Sequence, residues 1–336
     1  MPTTYHHAII GFGIAGQLLI CELIQRGVQP NTIVIFDKTG LGGALATDYS
    51  QVISNTPWWK TRQALAVYSP HSTKAIEEGN TIYQENECMP LGNIAKACLH
   101  TALEAAKGCE RTIATVTDMN HAEGVWSIQH TFGSTQTKRV YLTHGANEKK
   151  MDLPFPQIPL SIALDKTLLS RYVKQTDTVV VIGLSHSGTI CLDHLHKLGI
   201  ETVGIYNTLT PFLFARDGNY DGIKEGSERI ADAILRGEHS STTQLISYGD
   251  SFKILKALKH VTKCIQCIGF EATPIGSNKL LYNHQTATID GAPNRFGYGI
   301  AFPGMTDQAG KWFPDVSVLS FQEQIRRTLP QILSQE

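Results

Sequence analysis

The residues whose types and spacing most clearly indicate chemistry are a run of glycines near the start of the chain and an acid that follows them. Residues 11–16 read GFGIAG; they come directly after the apolar run 8–10 and precede a helical pattern. A second apolar run, 32–36, ends on Asp37. A strand, a glycine turn, a helix, a strand and an acid in this order predict a site that binds a dinucleotide.

Each glycine of this turn has its own steric task. Gly11 allows the tight turn out of the strand, and Gly16 allows the helix to pack close to that strand. Gly13 lets the backbone approach a pyrophosphate, where a Cβ would collide. The first N–H groups of the helix and its positive dipole end then point at the phosphates. Asp37 is placed to accept both hydroxyls of an adenosine ribose.

The composition of the chain predicts a globular protein with a small-molecule ligand. Its 336 residues predict about two domains, and 42% hydrophobic with 18% charged residues is ordinary for a globular protein. The formal net charge of −1 gives no basic surplus for binding nucleic acid or an anionic membrane. No apolar run approaches the ~20 residues of a membrane-spanning helix. We therefore expect neither nucleic acid nor a membrane as a partner.

The N-terminus and the cysteines predict a cytoplasmic protein. The first residues lack the basic and apolar regions of a signal peptide and enter a strand almost directly. Seven scattered cysteines do not predict a disulfide framework. Cys264 and Cys267 form a CxxC, which could be a redox dithiol; however, it falls inside a predicted strand, where residues three apart face opposite sides. A single CxxC without a companion is also a poor zinc site.

The middle of the chain predicts helices followed by a small β-meander. Two adjacent glycines, Gly42 and Gly43, suit a second close approach of the backbone to a cofactor. Residues 61–110 are mainly helical in pattern, and Trp58 with Trp59 before them either lines a substrate pocket or packs on the first domain. Apolar alternation then predicts three strands, at 112–116, 124–130 and 138–143.

A second glycine turn follows much later in the chain. Residues 178–182 are a continuous apolar strand, and 183–188 read GLSHSG, with Ser185 in place of the middle glycine. Serine is small enough to keep the approach to a phosphate open, though its backbone is less permissive. A helical pattern and a strand at 202–206 complete the repeat, whereas 208–250 give no clear pattern.

The later strands predict how the two units are connected. Residues 261–268 form another apolar strand, and a helix from about Ser320 closes the chain. Two glycine turns, with later returns to both sheets, predict an α/β protein in which a second Rossmann-like domain is inserted into the first. The predicted boundaries are 1–155 and 270–336 for the first domain, which includes the β-meander, and 156–269 for the second.

These motifs, in this order, resemble those of the flavoproteins with two dinucleotide-binding domains. That superfamily includes the flavin-containing monooxygenases and the thioredoxin-reductase-like enzymes. Residues 11–16 with Asp37 are similar to the family's FAD site, and 143–146 (THGA) look like its first ATG element. Residues 183–188 are similar to its NAD(P)H fingerprint in the GxGxSG form, and 267–274 look like the second ATG element.

The resemblance implies FAD as the cofactor of the first domain and NADPH or NADH as the ligand of the second. It places Lys38 beside the acid on the adenosine ribose, and Val116 by the adenine. Residues 54–57 (SNTP) resemble the monooxygenase stretch whose asparagine lies beside the flavin ring, so that Asn55 is the candidate active-site residue. The implied cofactor-binding residues are Gly11, Gly13, Ile14, Ala15, Gly16, Asp37, Lys38, Gly42, Gly43, Val116, Gly145, Gly183, Ser185 and Gly188.

Two departures from the family pattern bear on the cofactors. The Gly-Asp that the family carries near its C-terminal end is replaced here by residues 296–299, which read FGYG and lack the acid. The second unit's second strand is followed by residues 206–208 (YNT), with neither an acid for an NAD ribose nor an arginine for an NADP phosphate. Arg216 is the nearest basic candidate. His186, inside the second turn, either contacts a phosphate or nicotinamide or fills a neutral position.

The function that this resemblance implies is that of an FAD-dependent oxidoreductase, reduced by NAD(P)H and monooxygenase-like, acting on a small molecule. An electron-transfer or quinone-type reductase is a second interpretation within the enzyme class. The alternative from another class is a binding or interaction protein that keeps the fold, with FAD structural or absent. A homodimer is left open as the assembly, and the motifs do not indicate the substrate.

Overall fold

The computed structural model describes residues 4–212, 215–216, 219–220, 226–276, 281–289, 293–308 and 311–334. Contacts within the chain divide it into two units. Unit 1 comprises Met1–Ser50, Pro57–Asn147 and Glu271–Glu336, and unit 2 comprises Gln51–Thr56 and Glu148–Phe270. The segment that carries Asn55 therefore groups with unit 2.

Unit 1 is built from a sheet and the helices that cover it. Its helices are α1 (Ile14–Gln25), α2 (Trp58–Ala66), α3 (Thr73–Ile82), α4 (Leu91–Ala105) and α10 (Val318–Leu333), with a 3-10 turn at Pro30–Thr32. Its strands are β1 (Thr4–Ile10), β2 (Ile33–Asp37), β4 (Cys88–Pro90), β5 (Glu110–Ile113), β6 (Val116–Ala122), β7 (Val125–His130), β8 (Gly133–Leu142), β17 (Arg295–Gly297), β18 (Gly304–Gln308) and β19 (Lys311–Asp315). Short strands also lie where the chain passes between the units, namely β3 (Ile53–Pro57), β9 (Ala146–Glu148) and β16 (Phe270–Ala272).

The sheet of unit 1 combines a parallel half with an antiparallel meander. Its strand order is β5-β2-β1-β8-β7-β6, and β17 also pairs with β8. The pairs of β1 with β2 and β8, of β2 with β5 and of β17 with β8 are parallel. Strands β6, β7 and β8 pair antiparallel and form the predicted meander. Because β1 and β2 are parallel, their carboxyl ends lie at the same edge, where Gly11 and Asp37 are found.

The apolar residues of β1 alternate between two packed layers. Ile9 belongs to the core that α1, α4 and α10 share, whereas Ala8 and Ile10 pack with Trp126 and other residues of the meander. Leu18 of α1 is almost fully buried in the first layer. Burying one large aliphatic side chain contributes about 1.5–3 kcal/mol. This packing fixes α1 on the sheet with its N-terminus at the carboxyl edge of the strands.

Unit 2 contains a parallel sheet with the strand order β14-β11-β10-β15. Residues 179–181 at its centre are fully buried, as expected for a strand covered on both faces. Its helices are α5 (Leu160–Ala163), α6 (Lys166–Leu169), α7 (His186–Lys197), α8 (Gly226–Leu235) and α9 (Ser251–Leu258). Its strands are β10 (Thr178–Ile182), β11 (Glu201–Tyr206), β12 (Ala215–Arg216), β13 (Asn219–Tyr220), β14 (Thr243–Ser247) and β15 (Lys263–Gln266).

The structure corrects two assignments made from the sequence. The strand predicted over 112–116 is split, because β5 leaves β2 after Ile113 and the meander begins anew at Val116. The stretch 208–250, where the sequence shows no clear pattern, contains α8 and the edge strand β14. Only Ile246 of β14 is fully buried, and so short an edge strand carries little apolar signal.

All seven cysteines lie within the described ranges and are free thiols. Across the same ranges, no helix combines the length and the apolar character that crossing a bilayer requires.

Candidate functional site

The first glycine turn, between β1 and α1, needs glycine at two positions for folding alone. Gly11 has φ +99°, and a Cβ there would lie 2.4 Å from the Cα of His144. A Cβ at Gly16 would lie 2.2 Å from the Gly11 carbonyl oxygen. The hydroxyl of Thr143 donates to the carbonyl oxygens of Gly11 (2.7 Å) and Ile10 (3.1 Å). The turn is therefore packed between α1 and residues 143–144, which follow β8.

At Gly13, the middle glycine, no close contact within the chain requires a glycine. Its φ of −73° and ψ of −175° suit any residue, and a Cβ there would be 3.8 Å from its nearest heavy atom, Gly43 Cα. As the N-cap residue of α1 it carries no side chain over the first N–H groups of the helix. The buried side chains of Ile14 and Ala15 leave only their backbone for a ligand. No side chain of Gly13 therefore covers the positive end of α1, which suits an anion.

Asp37, at the end of β2, is held by four hydrogen bonds. Its Oδ1 accepts from the N–H groups of Thr39 (3.0 Å) and Gly40 (2.6 Å) and from the Thr39 hydroxyl (3.1 Å). Its Oδ2 accepts from the N–H of Phe12 at 2.8 Å. With a single donor among the described residues, Oδ2 can accept one more hydrogen bond from a hydroxyl. Lys38, next in the chain, is exposed.

A second loop, residues 39–43, lies against the first turn. Gly40, Gly42 and Gly43 all have positive φ, which favours glycine. A Cβ at Gly43 would lie 2.7 Å from the Cα of Gly13, so the two backbones touch there. Both loops therefore lie beside the N-terminus of α1.

Gln17 is a polar residue of this site that the glycine pattern does not indicate. Its side chain is fully buried, and Nε2 donates to the Phe12 carbonyl oxygen at 2.8 Å. Its Oε1 has no hydrogen-bond partner among the described residues. A buried acceptor without a donor is costly, so a donor from a bound molecule or a water fits here. The available signal was a glutamine inside the otherwise apolar run IAGQLLI.

An apolar side chain of β5 lies next to the acid, since Ile113 pairs with Asp37 across the sheet. Ile113 is 63% exposed, and its Cδ1 would be 3.3 Å from a Cβ at Gly40. Val116 is half-buried at the start of β6, and Gly145, with φ +81°, has open space around it. Exposed apolar surface beside Asp37 suits a purine ring.

The C-terminal segment reaches the same turn without the acid of the family pattern. A Cβ at Gly299 would lie 2.7 Å from Ala15 Cβ, so this backbone packs directly on the first turn of α1. The N–H of Tyr298 donates to the Leu142 carbonyl oxygen at 3.0 Å, and its hydroxyl hydrogen-bonds Thr328 of α10 at 2.9 Å. The segment 296–299, which replaces the family's Gly-Asp, therefore contacts the first turn through its backbone and offers no carboxylate there.

The second glycine turn, between β10 and α7, has the same close backbone contacts as the first. Gly183 has φ +88°, and a Cβ there would be 2.4 Å from the Cys267 carbonyl oxygen. A Cβ at Gly188 would be 1.9 Å from the Gly183 carbonyl oxygen. Ser185, the N-cap residue of α7, is exposed and has φ −79° and ψ −164°, close to the values of Gly13. The outer glycines are needed for folding, whereas the middle position is free to carry a small side chain.

His186 links the second turn to the segment that carries Asn55. Its Nδ1 lies 2.7 Å from Ser227 Oγ, and its ring also hydrogen-bonds the backbone of Ile53. Burial lowers the pKa of His186, with the hydrogen bond to Ile53 partly opposing, so the ring is neutral near pH 7. Asn55 itself is exposed, and its Oδ1 accepts from the Thr56 hydroxyl at 3.3 Å. The sequence spacing gave no sign of this link.

The CxxC thiols have separate partners in the structure. The Cys264 thiol lies 3.7 Å from the Phe155 carbonyl oxygen, while Cys267 hydrogen-bonds Cys191 of α7. The strand predicted over 261–268 is shorter in the structure, so Cys264 lies in β15 and Cys267 directly follows it. Their separate partners argue against a redox dithiol.

Trp58, the first residue of α2, is a core residue. It is 1% exposed, and its Nε1 donates to Asn80 Oδ1 at 2.8 Å. Its ring fills the space beside Gly79, where a Cβ would come within 2.2 Å. The structure therefore supports packing of Trp58 within unit 1 rather than a place in the wall of a substrate pocket.

His144, beside the first turn, predicts a pH dependence of stability. Its Nε2 bonds the Thr273 carbonyl oxygen at 2.7 Å, and burial lowers its pKa more than that bond raises it. Below pH 6.5 the unfolded state then binds more protons than the folded state, so the free energy of unfolding falls as pH falls. We expect His144→Gln to remove part of this loss, at most about 1.4 kcal/mol per pH unit.

Urea unfolding of the wild type and His144→Gln between pH 7 and pH 5 measures this effect. His260→Gln, at an exposed position, is the control and should keep the wild-type slope. Identical slopes for the wild type and His144→Gln would contradict a neutral buried imidazole at this position.

A mixed sheet with an antiparallel meander in unit 1 and a parallel sheet in unit 2, each with a glycine turn leading into a helix, form two Rossmann-like folds. This confirms the predicted fold class. No protein-family model matches the chain, and no curated protein matches it.

Solved structures with this fold superpose on nearly the whole chain. A flavin-containing monooxygenase from Stenotrophomonas maltophilia has a TM-score of 0.66 at 13% identity, with 99% of both chains covered. A bacillithiol disulfide reductase from Staphylococcus aureus has a TM-score of 0.62 at 13% identity, with 100% of both chains covered. A thioredoxin reductase from Lactococcus lactis has a TM-score of 0.60 at 11% identity, with 98% of both chains covered. At these identities the similarity establishes the fold.

Proposed function

We propose that the chain is an FAD-dependent oxidoreductase whose unit 1 binds FAD through the first glycine turn. The observation that carries the proposal is Gly13, where the chain itself has room for a Cβ yet keeps a glycine at the N-terminus of α1. A pyrophosphate needs that room, because it must approach the backbone N–H groups closely. The solved structures with this fold include a flavin-containing monooxygenase, which supports the choice of a flavin.

The residues around this turn fit the remaining parts of FAD. Asp37 would accept a ribose hydroxyl at Oδ2, with Lys38 beside it, and Ile113 and Val116 would contact the adenine. The buried Oε1 of Gln17 would accept a donor from the cofactor or from a water that the cofactor holds. Gly42 and Gly43 would follow the cofactor toward the flavin. Bound FAD would supply hydride acceptance and electron transfer, while the protein positions it and excludes water.

A reduced nicotinamide nucleotide is the proposed electron donor, bound by the second turn. Gly183 and Gly188 give that turn the same geometry as the first, and Ser185 leaves the N-terminus of α7 accessible. His186 would hold Ile53, and through it Asn55, in place while the nucleotide occupies the turn.

Oxidation of a small molecule in a monooxygenase-like reaction is the proposed use of the reduced flavin, with Asn55 as the candidate active-site residue. The separate partners of Cys264 and Cys267 favour this over a reductase that works through an internal CxxC. The second candidate is a reductase that passes electrons to a quinone-type acceptor.

Anaerobic titration of the flavin-loaded protein with NADPH and NADH tests the oxidoreductase proposal. Bleaching of the flavin absorption by either nucleotide is the expected result. Steady turnover with dichlorophenolindophenol as the only acceptor would identify a reductase, whereas NADPH oxidation that requires both oxygen and an organic substrate would identify a monooxygenase. A flavin absorption that neither nucleotide changes would contradict the proposed electron donor.

A further inference from the structure

A cavity of about 430 Å³ lies in unit 1 at the C-terminal end of α1, the end opposite the first glycine turn. Its lining comes from Arg26, which follows α1, from α2 and the residue after it, and from α10. Since α1 has 12 residues and an α-helix rises about 1.5 Å per residue, about 18 Å of helix separates the cavity from that turn. The cavity is therefore separate from the proposed FAD site, and its volume is that of a small-molecule site.

Gln322 of α10 contributes a buried amide to this lining. It is 3% exposed, and its Nε2 has no hydrogen-bond partner among the described residues. The hydroxyl of Tyr68, a residue 1% exposed, faces Gln322 and also lacks a hydrogen bond to the described part of the chain. Burial and the charge of Glu22 raise the pKa of Tyr68, so the hydroxyl keeps its proton and can donate. Each of these buried donors is costly unless an acceptor reaches it.

Two arginines bring positive charge to the same cavity. The Nε of Arg326 in α10 lies 3.8 Å from Glu22 Oε2, and its side chain is 47% exposed. Arg26 lies closer to this carboxylate, with its Nη2 2.7 Å from Oε1. A separation of 3.8 Å is too long for a hydrogen bond. Within the described residues, the guanidinium fork of Arg326 therefore remains available to a second carboxylate.

The charges around the cavity favour a ligand with one negative charge. Arg327 is a third cation of the lining, and Glu323 adds a carboxylate to it. Together with the buried Glu22, which Arg26 and Arg326 contact, two anions then oppose three cations. A single carboxylate balances the remaining positive charge. A doubly charged phosphate would exceed it and would be repelled by the two glutamates.

The lining also contains aliphatic surface. Val67 and Leu319 line the cavity and pack, partly buried, against the core of unit 1. Their side chains can cover the hydrocarbon part of a ligand whose charged end meets the donors. Buried donors, a cation and aliphatic groups in one small cavity suit a short organic acid.

We propose that this cavity of unit 1 binds a short aliphatic monocarboxylate, with Arg326 and Gln322 as the groups that hold its carboxylate. Tyr68 donates to the same carboxylate, while Val67 and Leu319 contact the hydrocarbon chain. None of these residues belongs to either glycine turn, so the site is independent of the proposed redox reaction.

Saturation-transfer NMR of butyrate with the full chain tests the site, with butyramide as the uncharged analogue. We expect transfer to butyrate but not to butyramide, both with and without added FAD. Arg326→Gln and Gln322→Leu should each weaken butyrate binding at least about tenfold. Glu323→Gln removes a like charge from the lining and should strengthen binding about twofold or more. Arg171→Gln, at an exposed position of unit 2, is the control and should behave as the wild type.

The gain expected for Glu323→Gln is a readout that a folding defect cannot imitate. Butyrate binding that neither Arg326→Gln nor Gln322→Leu weakens would overturn the site, as would displacement of butyrate by FAD. Binding of inorganic phosphate that depends on Arg326, without binding of butyrate, would overturn the carboxylate assignment. Loss of butyrate binding in both variants, together with the gain in Glu323→Gln, would support the site whether or not the protein reduces a flavin.

Discussion

Replacing Gly13 by alanine is expected to weaken FAD binding by about a hundredfold or more, which is about 2.7 kcal/mol or more in binding free energy. The added methyl group would project into the space that the pyrophosphate must enter to reach the N–H groups of α1. The same variant should fold normally, because its Cβ meets no heavy atom closer than 3.8 Å and its backbone angles suit alanine. We expect its free energy of unfolding without FAD to stay within about 1 kcal/mol of the wild type.

Fluorescence titration with FAD and urea unfolding of the apoprotein measure the two parts of this prediction. Gly304→Ala is the matched control, since a Cβ there also meets nothing closer than 3.8 Å but lies outside the glycine turn. The control should keep wild-type FAD affinity. Unchanged FAD affinity in Gly13→Ala would contradict the placement of the pyrophosphate, and a large loss of stability would contradict the space seen at Gly13.

Replacing Gly188 by alanine is expected to destabilise unit 2 by about 3 kcal/mol or more. Its Cβ would lie 1.9 Å from the Gly183 carbonyl oxygen, a backbone atom between β10 and α7 that cannot rotate away. Relief requires α7 to move off the sheet, which exposes the buried side chains of Cys191 and Leu192. Nucleotide binding by unit 2 should be lost with this movement, whereas the first glycine turn is untouched.

Thermal unfolding and hydrogen exchange of Gly188→Ala test this second prediction. Faster exchange is expected in α7 and β10, with exchange in α1 and β1 unchanged. Gly226→Ala is the control, because a Cβ at this exposed first residue of α8 meets nothing within 4 Å. Wild-type stability of Gly188→Ala would contradict the close helix–strand contact.

The first turn could be predicted from sequence because its constraints are local. Gly11, Gly13, Gly16 and Asp37 follow one another within a single βαβ unit, and their order alone indicates a dinucleotide site. The second turn could be predicted for the same reason, even with Ser185 in its middle position. The close contacts at Gly11, Gly16, Gly183 and Gly188 are the steric demands that this local pattern implies.

The rest of the site depends on contacts between distant residues, which spacing does not encode. The bond between His186 and Ile53 joins a helix start to a segment more than a hundred residues earlier, and neither residue is unusual in its local pattern. Gln17 could not be predicted as a site residue, because its neighbours in the sequence are apolar. Nothing in the local pattern shows that its amide hydrogen-bonds the backbone of the glycine turn.

The measurement that tests the central claim most directly is the amount of FAD bound per chain, from the visible spectrum of the purified protein before and after incubation with excess FAD and gel filtration. We expect the two visible absorption bands of oxidised flavin and about one FAD per chain, with Gly13→Ala colourless under the same conditions. Colourless wild-type protein that retains no FAD after incubation would contradict the account. The chain would then keep the fold of a flavoprotein as a binding or interaction protein.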